Sequence, residues 1–489
     1  MGRGARRRSA AAVAAVVLAA GLGAARAAVN APGLVISTNP ALYPAFQPAV
    51  TDYVSRCRDG VPVGVSVQTP PAFAASVDGQ PARTGSFSTA VRRHPGQEFS
   101  VVVREPNGQT LTYYVRCLPG DFPAFGSQQL GQTQSEWYLV GPVDPSLLGP
   151  RPPPRQYVAL FDSHGVPVWW LPTGGRAFYE TVLPNDDIVV THAQNGDKSG
   201  AEERRLDGSV AQTFDTVGSE SDFHDFELLA DGNVLMATNV VRHGVDLRVW
   251  GGPAAADVLD PIVQVVTPRG TVQWSWDTMS HVSPSEMDLG FRPQVLGQGS
   301  PYDVFHLNSL EWAGDSVVIS FRHLSALFSV DHVTGTVNWK LGGSPRPQSL
   351  RVAGDPNGLL GGLFGGQHDA RVLSDGTVTV HDNGTNHGRP PRAVRYLIDP
   401  LTRTATMLEQ VTDSRARASL CCGSARKLSG GDWVIAWGFN NLVTETTPAG
   451  IVLFSLQLGR GQFSYRAVPV PYGQLSRAAL RAGMDAQYR

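Results

Sequence analysis

The sequence predicts an all-β chain, with a β-propeller of about six blades preceded by a small N-terminal β-sandwich. Three observations lead there. Glycine (53) and proline (36) are abundant while charged residues make up only 17% of the 489 residues, a composition that favours short strands and tight turns over long amphipathic helices. A two-hairpin unit recurs from Tyr157 onward, spaced by some tens of residues. The length exceeds one ordinary domain, whereas propellers run past about 250 residues as a single unit, so one small and one large domain are expected.

The chain opens with basic residues from Arg3 to Arg8 and an alanine-rich apolar run from Ser9 to Ala25, ending in Ala25-Arg26-Ala27. This is the pattern of an export signal over residues 1–27, and it implies a secreted, periplasmic or extracellular protein. The competing reading is an uncleaved membrane anchor, which the weak hydrophobicity of alanine and the glycines at 21 and 23 disfavour. A formal charge of −2 gives no basic field for nucleic acid or an anionic membrane surface.

Residues 33–125 alternate β-rich runs, such as Val61 to Val67 and Phe99 to Arg104, with turn clusters like Pro106-Asn107-Gly108. A small β-sandwich fits them. The stretch Leu148-Gly149-Pro150-Arg151-Pro152-Pro153-Pro154 reads as a stiff connector. Residues 130–475 make the propeller.

One half of the repeat is a strand, a glycine turn and a Val-x-Trp strand, seen at Leu160 to Trp169, Thr267 to Trp274 and Val330 to Trp339. The other is a hairpin with an Asp-Gly type turn, at Phe226 to Ala237, Ser309 to Ser320, Ala370 to Val380 and Ala425 to Ala436, with a weaker copy from Tyr179 to Val190. A final Val-rich unit from Asn441 to Val470 brings the count to about six, uncertain by one. Ring closure requires a strand from before Tyr157, and Glu136 to Gly141 is the natural donor.

Four cysteines fit an oxidising compartment and allow three pairings. Cys57 and Cys117 bracket strand-like sequence in the first domain, so a bridge between them is expected. Cys421 and Cys422 are adjacent, either reduced or joined in an unusual ring, and sequence does not choose.

Aligning the hairpins on their turn glycines places His224, His306 and His368 each eight residues ahead of Gly232, Gly314 and Gly376. Innermost strands of a propeller line its channel, so equivalent positions point toward one axis and three imidazoles should converge. With Gly430 as turn residue the next copy has Cys422 at this position, and the weak copy has Tyr179. A lone histidine is most often a hydrogen-bonded structural residue, and three at one repeat position argue for more. They could bind a divalent metal, but no HExxH or CxxC spacing accompanies them. With Arg322, eight residues after Gly314, they suit an anion better, because guanidinium offers a fork of donors. Asn308, two residues after His306 on the same strand face, could donate to an oxyanion.

Asn383-Gly384-Thr385 is a turn, or a glycosylation sequon in a eukaryotic host. Asp52, Asp162 and Asp331 read as turn or surface residues, and Trp169-Trp170 and Trp274 with Trp276 as core packing.

The segments Phe223-His224-Asp225-Phe226, Phe305-His306-Leu307-Asn308-Ser309, Ser320-Phe321-Arg322-His323, Gln367-His368-Asp369-Ala370 and His381-Asp382-Asn383-Gly384 resemble, in order, the motifs of the arylsulfotransferases that work without 3′-phosphoadenylyl sulfate. Gly423-Ser424-Ala425-Arg426-Lys427-Leu428 to Trp437-Gly438 is similar to the closing motif of that family's broader branch, and the likeness runs from about Tyr157 to Leu458. The resemblance implies ping-pong transfer of a sulfuryl group from a phenolic sulfate ester to a phenol, without a cofactor. His368 matches the nucleophile that becomes a sulfohistidine. His224, His306, Asn308 and Arg322 match positions that bind the sulfuryl oxygens and assist proton transfer. The chain departs from the pattern in its adjacent cysteines, in Asp369 beside the nucleophile and in lacking a matching late hydroxyl, for which Ser424 is the candidate substitute. A non-catalytic binding module and a metal-dependent hydrolase on the same scaffold are the alternatives.

Overall fold

The computed structural model describes residues 32–143, 156–173, 176–193, 200–359 and 362–489. The signal-like segment 1–27 and the proline-rich connector at 148–154 lie outside them. Among the described residues no helix is long and apolar enough to cross a membrane.

Near the N-terminus, a three-stranded sheet (Val35–Asn39, Val63–Gln68, Ser86–Val91) faces a six-stranded one that includes Asp52–Arg56, Thr110–Leu118 and Glu98–Arg104. Alternation sets the inner faces: Val63, Val65 and Val67 are buried while the residues between them are not, and Val101, Val103, Tyr113 and Val115 meet them in one core. Cys57 and Cys117 form a disulfide inside that core, spanning sixty residues of chain. Strand Phe125–Gln129 leaves this region and pairs with Val452–Leu458.

Among the described residues, six further sheets of four or five strands follow, most in simple up-and-down order, as in a β-propeller. Hydrogen bonds join each to the next, among them Ala177 N to Gln156 Oε1 (3.2 Å), Thr191 Oγ1 to Phe223 O (2.6 Å), Leu310 N to Asp225 Oδ2 (2.8 Å), Ala370 N to Ser309 Oγ (3.0 Å), Ala425 N to Asp369 Oδ2 (3.2 Å) and Ala467 N to Ser424 Oγ (3.0 Å). The last returns to the first sheet, because Ser135–Val143 lies between Gln156–Asp162 and the C-terminal strand Phe463–Pro471. Residues 136–141 therefore do join the two ends of the chain, but in the first sheet. The unit read from Asn441 to Val470 is divided: Leu442–Thr446 and Val452–Leu458 stay with the preceding sheet, while Phe463–Pro471 crosses to the first. Strands from both directions thus lock the first and last sheets together, leaving the outer strand of each sheet as its edge.

The helix Arg477–Gln487, capped by Ser476 Oγ accepting from Ala479 N, seats Leu480 and Met484 in the core of the first sheet. It also corrects the reading of Asp52 as a turn or surface residue, whereas Asp162 is a turn former as expected, accepting from His164 N and Val166 N, though not at the surface. Both are buried, Asp52 against Arg477 (2.9 Å) and Arg481 (2.6 Å) and Asp162 against Arg477 (3.0 Å), so the helix ties the N-terminal sheets to the ring. Asp331 is a turn former, accepting from Val333 and Thr334. Trp169, Trp170 and Trp276 are core.

At the centre of the ring lies a buried ionic hub. Arg466, on the closing strand, bonds Asp225 Oδ1 (2.8 Å) and the Asn308 carbonyl (2.8 Å). Arg371 reaches Asp225 (2.9 Å) and Asp369 (3.0 Å), and Arg426 reaches Asp369 (2.7 Å). Burial pushes both aspartate pKa values up, but the arginines outweigh it and hold the carboxyls below their usual range. Asp225 follows His224 and Asp369 follows His368, so the hub fixes the strands that carry these histidines.

Candidate active site

His224, His306, His368 and Arg322 come from three neighbouring sheets and gather above this hub. The rings of His224 and His306 are 5.0 Å apart, and that of His306 is 4.7 Å from His323. Tyr465 on the closing strand fills the space between, 5.9 Å from His224 and 6.1 Å from His368. Arg322 is tied to the loop beside His368: its Nη2 donates to the Leu420 carbonyl (2.7 Å), two residues before the Cys422 amide that meets His368.

Hydrogen bonds fix the tautomer of each imidazole. His368 Nδ1 faces two acceptors, Gly366 O (2.9 Å) and Asn383 Oδ1 (2.8 Å), so it carries the proton. Its Nε2 accepts from the Cys422 amide (3.1 Å) and is therefore the lone-pair nitrogen. Asn383 is itself oriented, since its Nδ2 donates to Ser419 Oγ and Cys422 O. Fully buried, Asn383 is no glycosylation acceptor but a holder of His368. Burial first, then the charge of Arg322, pushes the His368 pKa well below the ordinary imidazole value, so the ring is neutral.

Two carboxylate–imidazole pairs stand opposite. His224 Nδ1 donates to Asp222 Oδ1 (2.7 Å) and His306 Nδ1 to Asp303 Oδ2 (2.5 Å), leaving Nε2 of each as the nitrogen free for a ligand. Burial lowers the His306 pKa against the opposing pull of Asp303. Although burial raises the Asp303 pKa, His306 and His323 bring it well below the carboxylate range.

Arg322 is 5% exposed, yet among the described residues no carboxylate lies within ion-pair distance of it. Nη1 donates to His323 Nε2 (2.7 Å), Nη2 to Leu420 O (2.7 Å), and the group lies 4.7 Å over the Phe291 ring. Its Nε is buried without a partner. Burial lowers its pKa to about 10, still charged at neutral pH. A buried cation with a spare donor and no paired carboxylate has the chemistry to hold an anion.

Asn308 and Ser424 take other duties. Asn308 Nδ2 donates to the Gln367 carbonyl (2.7 Å), bracing the residue before His368, and its Oδ1 is buried without a partner. The Ser424 hydroxyl is tied to Ala467 N and O between sheets, so it is not the missing hydroxyl. Cys421 and Cys422 are joined as a vicinal disulfide.

The turn geometry corrects two alignments. Gly431, at φ +101°, bonds back to Leu428 as Gly232 does to Leu229, so the residue equivalent to the histidines is Gly423, not Cys422. A side chain there would collide with His381 Cε1 at 2.5 Å. Asp186, at φ +70°, is the turn residue of the weak copy, which makes Phe178 rather than Tyr179 its equivalent. Phe178 indeed lines the site, 4.5 Å from Phe223 and 5.6 Å from Tyr465.

Asp303, His306 and His323 also have the spacing of a metal cluster. The chemistry fits poorly: His323 spends Nδ1 on the Asp303 carbonyl (2.6 Å) and Nε2 on a guanidinium, so a cation would have to displace Arg322.

No curated protein matches the chain significantly. Among solved structures it is similar to a protein of unknown function from Bacteroides caccae (13% identity, TM-score 0.42, covering 69% of this chain and 99% of that one). It is also similar to the periplasmic gluconolactonase of Pseudomonas aeruginosa (16%, 0.38, 68% and 99%) and to the β-propeller domain of Myceliophteria_thermophila Cps50 (12%, 0.31, 59% and 86%). The arylsulfotransferase (ASST) family matches residues 191–459, more than half of the chain and the part that carries every histidine and arginine of the site. With that match over these residues, the chain belongs to the arylsulfotransferase family.

Proposed function

We propose that this is an exported sulfotransferase that passes a sulfuryl group from a phenolic sulfate ester to a phenol through a sulfohistidine at His368. The observation that carries the reading is the pairing of a neutral, Nε2-nucleophilic His368 with the unpaired cation of Arg322. In the first step the Nε2 lone pair forms an N–S bond as the S–O bond to the aryl group breaks, and the aryl oxygen leaves with the electron pair. In the second, the acceptor phenol loses its proton, its oxygen bonds sulfur, and the N–S bond returns its electrons to Nε2.

Each neighbour has a part in this scheme. Arg322 offers Nε–H to a sulfuryl oxygen, and the Cys422 amide, which caps Nε2 at rest, is placed to donate to another once sulfur occupies that nitrogen. The aryl oxide leaves as the phenolate, and His306 and His224, held by Asp303 and Asp222, take the proton of the incoming phenol on the Nε2 lone pair and pass it to solvent. Phe178, Phe223 and Tyr465 supply the apolar wall for an aryl ring. The disulfide pairings and the signal-like N-terminus support the oxidising compartment of an exported protein.

The test is transfer from 4-nitrophenyl sulfate to a second phenol, followed by nitrophenolate release. Release that depends on the acceptor and is lost in His368→Asn supports the reading. No transfer by folded protein across a panel of aryl sulfates and phenols overturns it.

A further inference from the structure

We infer that His323 is the positioning residue of the anion site, holding Arg322 in place through a neutral acceptor so that its charge stays free for the sulfate ester. The inference rests on the reading of the site as a sulfate-ester site. It concerns a residue to which neither the repeat alignment nor the reaction scheme gives a part.

The geometry leaves His323 one protonation state. A carbonyl can only accept, so the contact of 2.6 Å to Asp303 O puts the proton on Nδ1. A guanidinium can only donate, so the contact of 2.7 Å from Arg322 Nη1 requires a lone pair on Nε2. The ring is fully buried, and burial together with His306 brings its pKa to about 3, so it does not acquire the charge that would repel Arg322.

Buried arginines elsewhere in this protein are treated differently. Arg466, Arg371 and Arg392 are each paired with carboxylates at about 3 Å. In such pairs the carboxylates cancel the charge that a ligand would meet. At Arg322 the partners are an imidazole nitrogen and the Leu420 carbonyl, both uncharged, and Asp303 acts on it only through space, its carboxylate being spent on His306. Two of the three guanidinium nitrogens are thereby fixed, the third keeps a free N–H, and the full charge remains. A carboxylate at position 323 would hold the group as firmly and cancel its charge. An apolar residue would leave the charge but release the group.

Three variants separate these effects: His323→Gln restores a neutral acceptor, His323→Leu removes it, and His323→Glu makes it an anion. Each is built in a His368→Asn background, where no transfer occurs, and binding of 4-nitrophenyl sulfate is measured by calorimetry. A charge-assisted hydrogen bond of ordinary strength sets the expected scale: affinity about tenfold weaker in the leucine variant, about a hundredfold weaker in the glutamate variant, and within about threefold of the parent in the glutamine variant. Glutamate binding as tightly as glutamine, or leucine binding as tightly as the parent, overturns the inference. Should leucine or glutamate prevent folding, His323→Asn replaces them; its shorter amide falls short of Nη1 and must lose affinity that glutamine keeps, and equal affinity of the two overturns the inference. Because binding is read without turnover, failure of the transfer chemistry shows up separately, as intact His323-dependent binding with no nitrophenolate released by the His368 parent.

Discussion

The amide N–H of Cys422 lies 3.1 Å from Nε2 of His368, on the nitrogen that carries the lone pair. The carbonyl of the same residue accepts from Asn383 Nδ2 at 2.8 Å, and Asn383 Oδ1 in turn accepts from His368 Nδ1 at 2.8 Å. One backbone unit thus bears on both nitrogens of the imidazole, and the tautomer is set before a substrate arrives.

Asn383→Ala removes one of the two acceptors at Nδ1, leaving the Gly366 carbonyl, and frees the Cys422 carbonyl on the lone-pair side. Orienting groups of this kind are worth roughly ten- to a hundredfold, so kcat should fall by that factor with KM little changed. Steady-state kinetics with 4-nitrophenyl sulfate checks it, and a rise in KM at constant kcat would place Asn383 in substrate binding instead.

Arg322→Met should separate stability from activity. Loss of one donor aimed at developing charge lowers kcat/KM by about a hundredfold or more. Removing a buried cation that lacks a counter-ion should leave the protein as stable or more so, read as an equal or higher Tm. A fall in both would mean that Arg322 is mainly a structural strut.

Arg466→Met should behave in the opposite way. It strands Asp225 beneath the site without one of its two arginines, and breaking a buried pair from one side costs about 3–5 kcal/mol. Urea unfolding measures it, and an unchanged midpoint would count against the hub as the element that registers the histidine-bearing strands.

Acid should destabilise the fold through its buried imidazoles. Burial, opposed by Asp382, lowers the His381 pKa to about 4, below the ordinary 6.5 of the unfolded chain. The unfolded state then binds the extra proton between these values, so stability is complete above pH 6.5 and is lost as pH falls toward 4, by about 3 kcal/mol for this one group. His381→Gln should lose correspondingly less over that window, and an identical pH slope for both proteins would contradict the assignment. In the same way the depressed pKa of His368 predicts no acid limb near pH 6.5 attributable to the nucleophile in the kcat/KM profile.

The parts of this molecule that repeat were legible from the chain. Turn glycines at 232, 314 and 376 adopt positive φ, which few other residues tolerate, and that requirement is why counting from them located three converging histidines. The count slipped where the backbone need was met ambiguously, at Gly430-Gly431, and where Asp186 took the glycine's place. Partners set by the three-dimensional arrangement were out of reach: nothing in the pattern links Asn383 to His368 or Arg466 to Asp225 across 241 positions. Asp222 and Asp303 sit two and three residues before their histidines, a signal that local inspection could have used. The C-terminal helix went unseen because its apolar residues are few and its anchors, Arg477 and Arg481, find their acids in distant strands.

The central claim is a covalent bond between sulfur and His368 Nε2, and trapping it is the most direct measurement. Protein mixed with 4-nitrophenyl sulfate in the absence of acceptor, quenched in alkali and digested, should give a burst of one nitrophenolate per chain. The peptide containing His368 should then be heavier by one SO3, and the modification should vanish when a phenol is added before the quench. A stoichiometric burst with SO3 on another residue, or acceptor-dependent turnover with no modified peptide, would contradict it.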